Sequence, residues 1–189
     1  MVNEPVFEHA VVYINRKTKD ILKTVVASDL DKIITLFFDA NRIFVYGAGR
    51  SGLVARAFAI RLVHLGFQTF VIGETIGAPI KKGDLVVLVS GSGEKIPTVM
   101  TAEITRDIGA QLVVVTTEKN SRITSFAGVV IVLASDGKES EEHKKLAPLG
   151  TLFEASAWVF LDGLVAELME RKGETETSMR LRHATFDQP

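Results

Sequence analysis

The chain has no cysteine among its 189 residues, which excludes a disulfide framework and thiolate metal sites. No apolar run approaches the roughly 20 residues that a membrane-spanning helix needs. The amino terminus also lacks the charged-then-apolar pattern of an export signal, so a cytoplasmic protein with no membrane partner is expected. An excess of charge of either sign is missing too. With 22 basic residues against 23 acidic ones and a net charge of −1, nothing draws the chain to nucleic acid or to an anionic membrane. Partners must be sought at local sites. What is present, 47% hydrophobic and 24% charged residues, is the composition of one ordinary globular domain able to bury a full core.

Apolar residues recur at helical spacing from Phe7 to Val26, as at Val11, Ile14, Ile21 and Leu22, and a second helix is predicted from about Leu30 to Phe38. Five short, β-branched runs follow: Ile43 to Tyr46, Phe67 to Ile72, Leu85 to Val89, Leu112 to Val115 and Val129 to Leu133. Their nearly continuous apolar character is that of strands covered on both faces. Helices are predicted from Leu53 to Leu65, from Pro97 to Ile108 with Gly109 as its terminator, and through Glu154 to about Glu170. Strand alternating with helix means a parallel sheet with ligands at the strands' carboxyl ends. The expected organisation is one domain, with amino-terminal helices over 1–40, an α/β core over 41–172 and a terminal segment over 173–189. Ser135 to Lys145 reads as an exposed polar loop with a solvated His143. Gly173 to Ser178 reads as a polar break before a short terminal segment, MRLRHATF.

Two glycine loops carry the chemistry. Gly47, Gly49 and Gly52 form a G-x-G-x-x-G between a strand and a helix, where unpaired N–H groups and the helix dipole face any arriving anion. A dinucleotide site also asks for an acid roughly 20 positions on. Glu74 supplies one, which keeps a nicotinamide-binding oxidoreductase open. The second loop, Ser90-Gly91-Ser92-Gly93-Glu94-Lys95, again leaves a strand for a helix. Its hydroxyls and small-residue amides suit a phosphate monoester, although such a stretch also reads as a tight, flexible connection. A dinucleotide has one pyrophosphate and needs one such turn; two turns suit a small phosphorylated molecule.

Gly47-Ala48-Gly49-Arg50-Ser51-Gly52, Phe58 to Phe67 (FAIRLVHLGF), Val71-Ile72-Gly73-Glu74, Ser90 to Glu94 and Pro148-Leu149-Gly150-Thr151-Leu152-Phe153-Glu154 together resemble the 6-phospho-3-hexuloisomerase family of single sugar isomerase domains. The similarity runs in order along nearly the whole chain. It implies an α/β three-layer sandwich with a five-stranded parallel sheet of flavodoxin-like type, behind two amino-terminal helices. It implies a homotetramer with shared active sites, without cofactor or metal. It also implies interconversion of D-arabino-hex-3-ulose 6-phosphate and D-fructose 6-phosphate, a step of the ribulose monophosphate pathway. By resemblance Glu154 is the catalytic base, and His183 is a second catalytic residue that enters a neighbouring subunit's site, for acid–base transfer between substrate oxygens or for ring opening. Gly49, Arg50, Ser51, Ser90, Gly91, Ser92, Gly93, Glu94 and Lys95 carry over as substrate-binding positions. Two departures stand out: Lys95 replaces a small hydroxyl residue, and His183-Ala184-Thr185-Phe186 replaces the usual His-Ala-Asn-Leu.

Each of these residues also has a plainer reading. Thr151-x-x-Glu154 is a capping-box sequence. Arg50 steadies an enediolate or pairs with a surface carboxylate. His64 shares a helix face with Ala57 and Ile60 and reads equally as a packed histidine. Glu74 serves sugar hydroxyls or a neighbour's cation, and His183 belongs to a frayed tail. As whole functions, a non-catalytic sugar-phosphate regulator stands beside the oxidoreductase. The regulator would carry a separate DNA-binding domain, for which about 40 residues before the first strand leave little room.

Overall fold

Period-two alternation along the strands decides the layers. In the computed structural model, which describes residues 5–135 and 140–184, Ile43, Val45, Val87, Val113 and Val115 face one side of a sheet. Phe44, Val86, Leu88, Leu112 and Val114 face the other. Both sets are apolar, so both faces must be covered. The elements run α1 (Val6–Leu22), α2 (Ala27–Asp39), β1 (Ile43–Gly47), α3 (Arg50–His64), β2 (Thr69–Val71), β3 (Leu85–Val89), α4 (Ile96–Ile108), β4 (Gln111–Thr116), β5 (Val129–Val132), α5 (Glu141–Leu146), α6 (Thr151–Lys172) and α7 (Glu176–Arg180). Helices α2, α3 and α6 pack Ile33, Phe37, Phe58, Leu62 and Leu161 onto the first face, and α1 lies against α6. On the second, α4 packs Val99 and Ala102 with Ile123 beside them. The result is the expected three-layer α/β sandwich.

All five strands are parallel, in the order β2-β1-β3-β4-β5. The order reverses between β1 and β3, and a crevice opens at the carboxyl ends of such a pair. Gly47 lies in register with Val89, so both glycine loops leave the sheet at the same level. At the opposite end of the sheet, Arg42 donates to Asp84 through Nε (3.1 Å) and Nη2 (2.7 Å), and the Lys81 amide adds a third bond at 2.7 Å. Among the described residues no helix is long and apolar enough to cross a membrane.

Several elements differ from the sequence reading. The strand expected over Phe67 to Ile72 pairs only over Thr69–Val71, because Phe67 is used to end α3. Its N–H reaches Leu62 O (3.0 Å) while Gly66, at φ +80°, donates to Val63 O (2.9 Å), the Schellman pattern. Gly109 and Gly173 end α4 and α6 in the same way. The polar run expected as a loop contains α5: Ser140 Oγ accepts from His143 N at 3.1 Å. Glu141, Glu142, Lys144 and Lys145 stay in water while His143 turns inward and is buried, contrary to the solvated histidine expected. Charge density hid a short amphipathic turn. Asp136 to Glu139 lie outside the described residues.

The polar break at 173–178 is likewise structured. Thr175 Oγ1 accepts from Ser178 N (3.1 Å) and Ser178 Oγ from Thr175 N (2.9 Å), a capping box in which serine takes the place usual for glutamate. Arg182 then donates to both oxygens of Glu174 (2.8 and 2.9 Å) and to His64 O (2.9 Å). His183 stacks on His64 with ring centroids 4.2 Å apart. The tail is therefore docked on α3 as far as His183, rather than frayed; Thr185 and Phe186 lie outside the described residues. The Arg182 hydrogen bond, and then that of Ser178, hold the Glu174 carboxyl at about 2, below its usual 4.5. A group depressed on folding contributes fully above its unfolded value and loses its contribution as pH falls toward the folded one. Amide protection over 174–184 is thus expected to persist near about pH 5 and to weaken toward about pH 2. Protection equal at the two ends of that window would contradict the docking.

Candidate active site

The first glycine loop is tight for two different reasons. A Cβ on Gly47 would lie 2.8 Å from the Ser51 carbonyl and from Val89 O, and one on Gly52 would lie 2.4 Å from Gly47 O. These two glycines allow backbone to meet backbone where β1 turns into α3. Gly49 differs: its φ is +65°, and among the described residues beyond its chain neighbours the one heavy atom within 4 Å of a Cβ there is Lys95 Nζ, at 4.0 Å. Lys95, the residue preceding α4, therefore reaches from the second loop across to the first.

The second loop is braced rather than loose. The Gly91 carbonyl accepts from Thr116 Oγ1 (2.8 Å), Thr117 Oγ1 (2.9 Å) and Thr117 N (3.0 Å), which pins it to β4. Buried Ser90 accepts from Gly93 N at 3.3 Å. Glu94 Oε1 accepts from the Arg122 amide at 2.8 Å. The Phe153 ring lies 3.3 Å from where a Gly91 Cβ would stand, so the loop also sets the start of α6.

Between these loops and the first turn of α6 lies a cavity of 780 Å³, bordered by Arg50, Ser51, Gly91, Ser92, Lys95 and Glu154. Gly49, Ser90, Gly93 and Glu94 do not border it: Ser90 braces the loop from beneath, and Glu94 faces a separate polar hollow with Lys119 and Arg122. Glu154 does not cap its helix. The residue before α6, Gly150, receives no side-chain cap, and Thr151 Oγ1 donates to Pro148 O at 2.6 Å, so the capping-box alternative is corrected. Instead the Glu154 carboxylate, 12% exposed, pairs with Arg50 Nε at 2.6 Å; that arginine is 68% exposed. The contact is an ion pair without hydrogen-bond alignment. A Cβ at Gly150 would stand 3.4 Å from the same carboxyl group, and Leu149 just before it takes φ +57°, a costly conformation for leucine that holds the turn under Glu154.

The other expected residues fall elsewhere. Glu74 pairs with Arg56. His64 is buried at the end of α3 beneath His183, and neither borders the cavity. Sequence reasoning missed Thr117, Glu118 and His143, which complete the cavity wall. The position of Thr117 and Glu118 just after a strand was the available signal for the first two. Among the described residues no cluster of histidine and carboxylate side chains could hold a metal ion.

Residues 36–152 match the SIS domain family. The chain is 36% identical over 157 residues to a 3-hexulose-6-phosphate isomerase of Methylomonas aminofaciens, covering 83% of this chain and 87% of that protein. A solved Methanococcus jannaschii protein, for which a molecular function of 3-hexulose-6-phosphate isomerase is inferred, superposes with a TM-score of 0.76 at 35% identity, over 84% of this chain and 85% of that one. The crystal structure of a hypothetical protein superposes with a TM-score of 0.93 at 39% identity, over 97% and 99% of the two chains.

Proposed function

Since this chain belongs to the SIS domain family, and is an isomerase related to the 3-hexulose-6-phosphate isomerases, we propose that it interconverts D-arabino-hex-3-ulose 6-phosphate and D-fructose 6-phosphate through a cis-2,3-enediolate. The observation that carries this reading is a low-exposure carboxylate, Glu154, bordering one cavity with two phosphate-competent loops at the switch point of the sheet. Moving a carbonyl from C3 to C2 requires one proton to leave C2 and one to arrive at C3. A single carboxylate on one face of the sugar serves both transfers. C2 is oxidised as C3 is reduced, so the reaction balances within the substrate and calls for no redox cofactor.

In this reading the phosphate rests on the amino-terminal turn of α3 with Ser51, and on Ser92 of the second loop. Arg50, released from Glu154 by the incoming sugar, faces the developing enediolate charge. The substrate pair belongs to the ribulose monophosphate pathway, and we assign the enzyme to the cytoplasm. The test is turnover: purified enzyme given hex-3-ulose 6-phosphate is expected to yield fructose 6-phosphate without added cofactor. A requirement for a nicotinamide would contradict the proposal.

We further propose a homotetramer in which His183 serves a neighbouring subunit's site and opens the fructose 6-phosphate ring in the reverse reaction. Apolar side chains left exposed on adjoining helices support assembly: Leu53 (63%), Ile60 and Val63 of α3, Trp158 and Val159 of α6, and Val11 and Val12 of α1. Light scattering at micromolar concentration is expected to give four chains; a monomer would overturn both parts.

A further inference from the structure

Isomerisation moves oxygen-bound protons as well as carbon-bound ones. As the carbonyl migrates from C3 to C2, O3 must gain a proton and O2 must lose one, and the base that serves the carbon atoms cannot hold this second proton at the same time. Among the described residues, the titratable side chains bordering the cavity are Arg50, Lys95, Glu118, His143 and Glu154. Arginine does not give up its proton in a protein, and lysine holds its own far above neutrality. Glu118 is exposed at the end of β4. Imidazole alone of these groups both gives and takes a proton near neutral pH.

We propose that His143 is a catalytic residue of this reaction, the relay that carries the hydroxyl proton between O3 and O2. The inference rests on the isomerase reading of the same cavity. His143 is 8% exposed, and its place is set by the packing around it. Ser140 caps the turn through the His143 amide, the His143 carbonyl accepts from Ala147 N at 2.8 Å, and the Tyr13 ring of α1 meets the imidazole edge-on at 6.4 Å. Arg16 and Lys17 lie over that same tyrosine. His183 stacks on His64 away from this lining, so within one chain the cavity's imidazole is that of His143.

The protons and electrons balance over two steps. In the first, the Glu154 carboxylate takes the C2 proton. The C2–H pair becomes the C2=C3 bond and the carbonyl pair collapses onto O3, giving the enediolate that Arg50 faces; O3 then receives a proton from the His143 imidazolium. In the second, the Glu154 carboxyl returns its proton to C3 using the C2=C3 pair, and His143 takes the O2 proton as that O–H pair becomes the new carbonyl bond. Both side chains end as they began.

The test is His143→Gln, with folding checked by its melting curve. It is expected to lower kcat about a hundredfold with KM changed little, as for loss of a general acid–base group. His143→Ala is expected to regain turnover when imidazole is added. For a measurement independent of any variant's folding, the wild-type protein is treated with diethyl pyrocarbonate. Fructose 6-phosphate should protect both activity and His143 from modification, as read by peptide mass. A folded His143→Gln within threefold of wild-type kcat, or wild-type protein carrying modified His143 at full activity, overturns the relay while leaving the isomerase reading intact. Wild-type protein that turns over neither sugar sinks the reaction and this role together.

Discussion

Glu154→Gln is expected to slow turnover at least about a hundredfold while leaving the melting temperature nearly unchanged. Glutamine keeps the shape of the side chain but cannot hold the proton that must travel from one carbon to the next. Stability should survive because Glu154 closes no cap, and because its partner Arg50 is largely exposed, where an ion pair is worth about 0–1 kcal/mol. Turnover within tenfold of wild type in a folded Glu154→Gln protein would remove Glu154 from the mechanism.

Gly52→Ala should cost the fold about 3 kcal/mol or more, above the usual range for overpacking, because the added methyl meets backbone rather than a side chain that can move. Its Cβ would stand 2.4 Å from Gly47 O and 3.1 Å from Gly47 C, and relief would require opening the turn that joins β1 to α3. The sign runs against helix propensity, by which alanine in place of glycine inside a helix gains about 1 kcal/mol. Gly163 provides the contrast: it lies within α6, and among the described residues beyond its own helical backbone no heavy atom stands within 4 Å of a Cβ there. Gly163→Ala should follow propensity and raise stability slightly. Urea unfolding of the two variants checks the pair, and similar effects at both positions would contradict the account of the loop.

Much of this fold was legible because its strands are buried on both faces: Leu85 to Val89 reads as a strand and is one, residue for residue. Terminators were legible where a glycine supplies the left-handed residue, as at Gly109. The misreadings share a cause. In α5 and at Thr175 to Ser178 the run is polar, and its order comes from serine and threonine bonding to backbone three residues away, which composition does not reveal. Of the cavity, the two loops could be read from the chain because each follows its own strand. His143 could not, since α5 reaches the cavity wall only through its packing and carries no strand-end signal. The Arg50–Glu154 pair, between residues 104 positions apart, explains why an arginine so close to the phosphate loop read ambiguously.

Proton exchange at carbon tests the central claim most directly. Fructose 6-phosphate incubated with the enzyme in heavy water and followed by proton NMR is expected to lose its C3 signal, because with the carbonyl at C2 the 2,3-enediolate forms by removal of the C3 proton. An aldose-ketose isomerase working on the other side of the carbonyl would exchange C1 instead. In the proposed reaction a phosphate seated on the Ser51 and Ser92 loops would set the register that puts Glu154 beside C3, and displacement by one carbon is enough to lose productive geometry. Deuterium at C3 is the predicted result; deuterium at C1, or none at any carbon while the sugar phosphate binds, would contradict it.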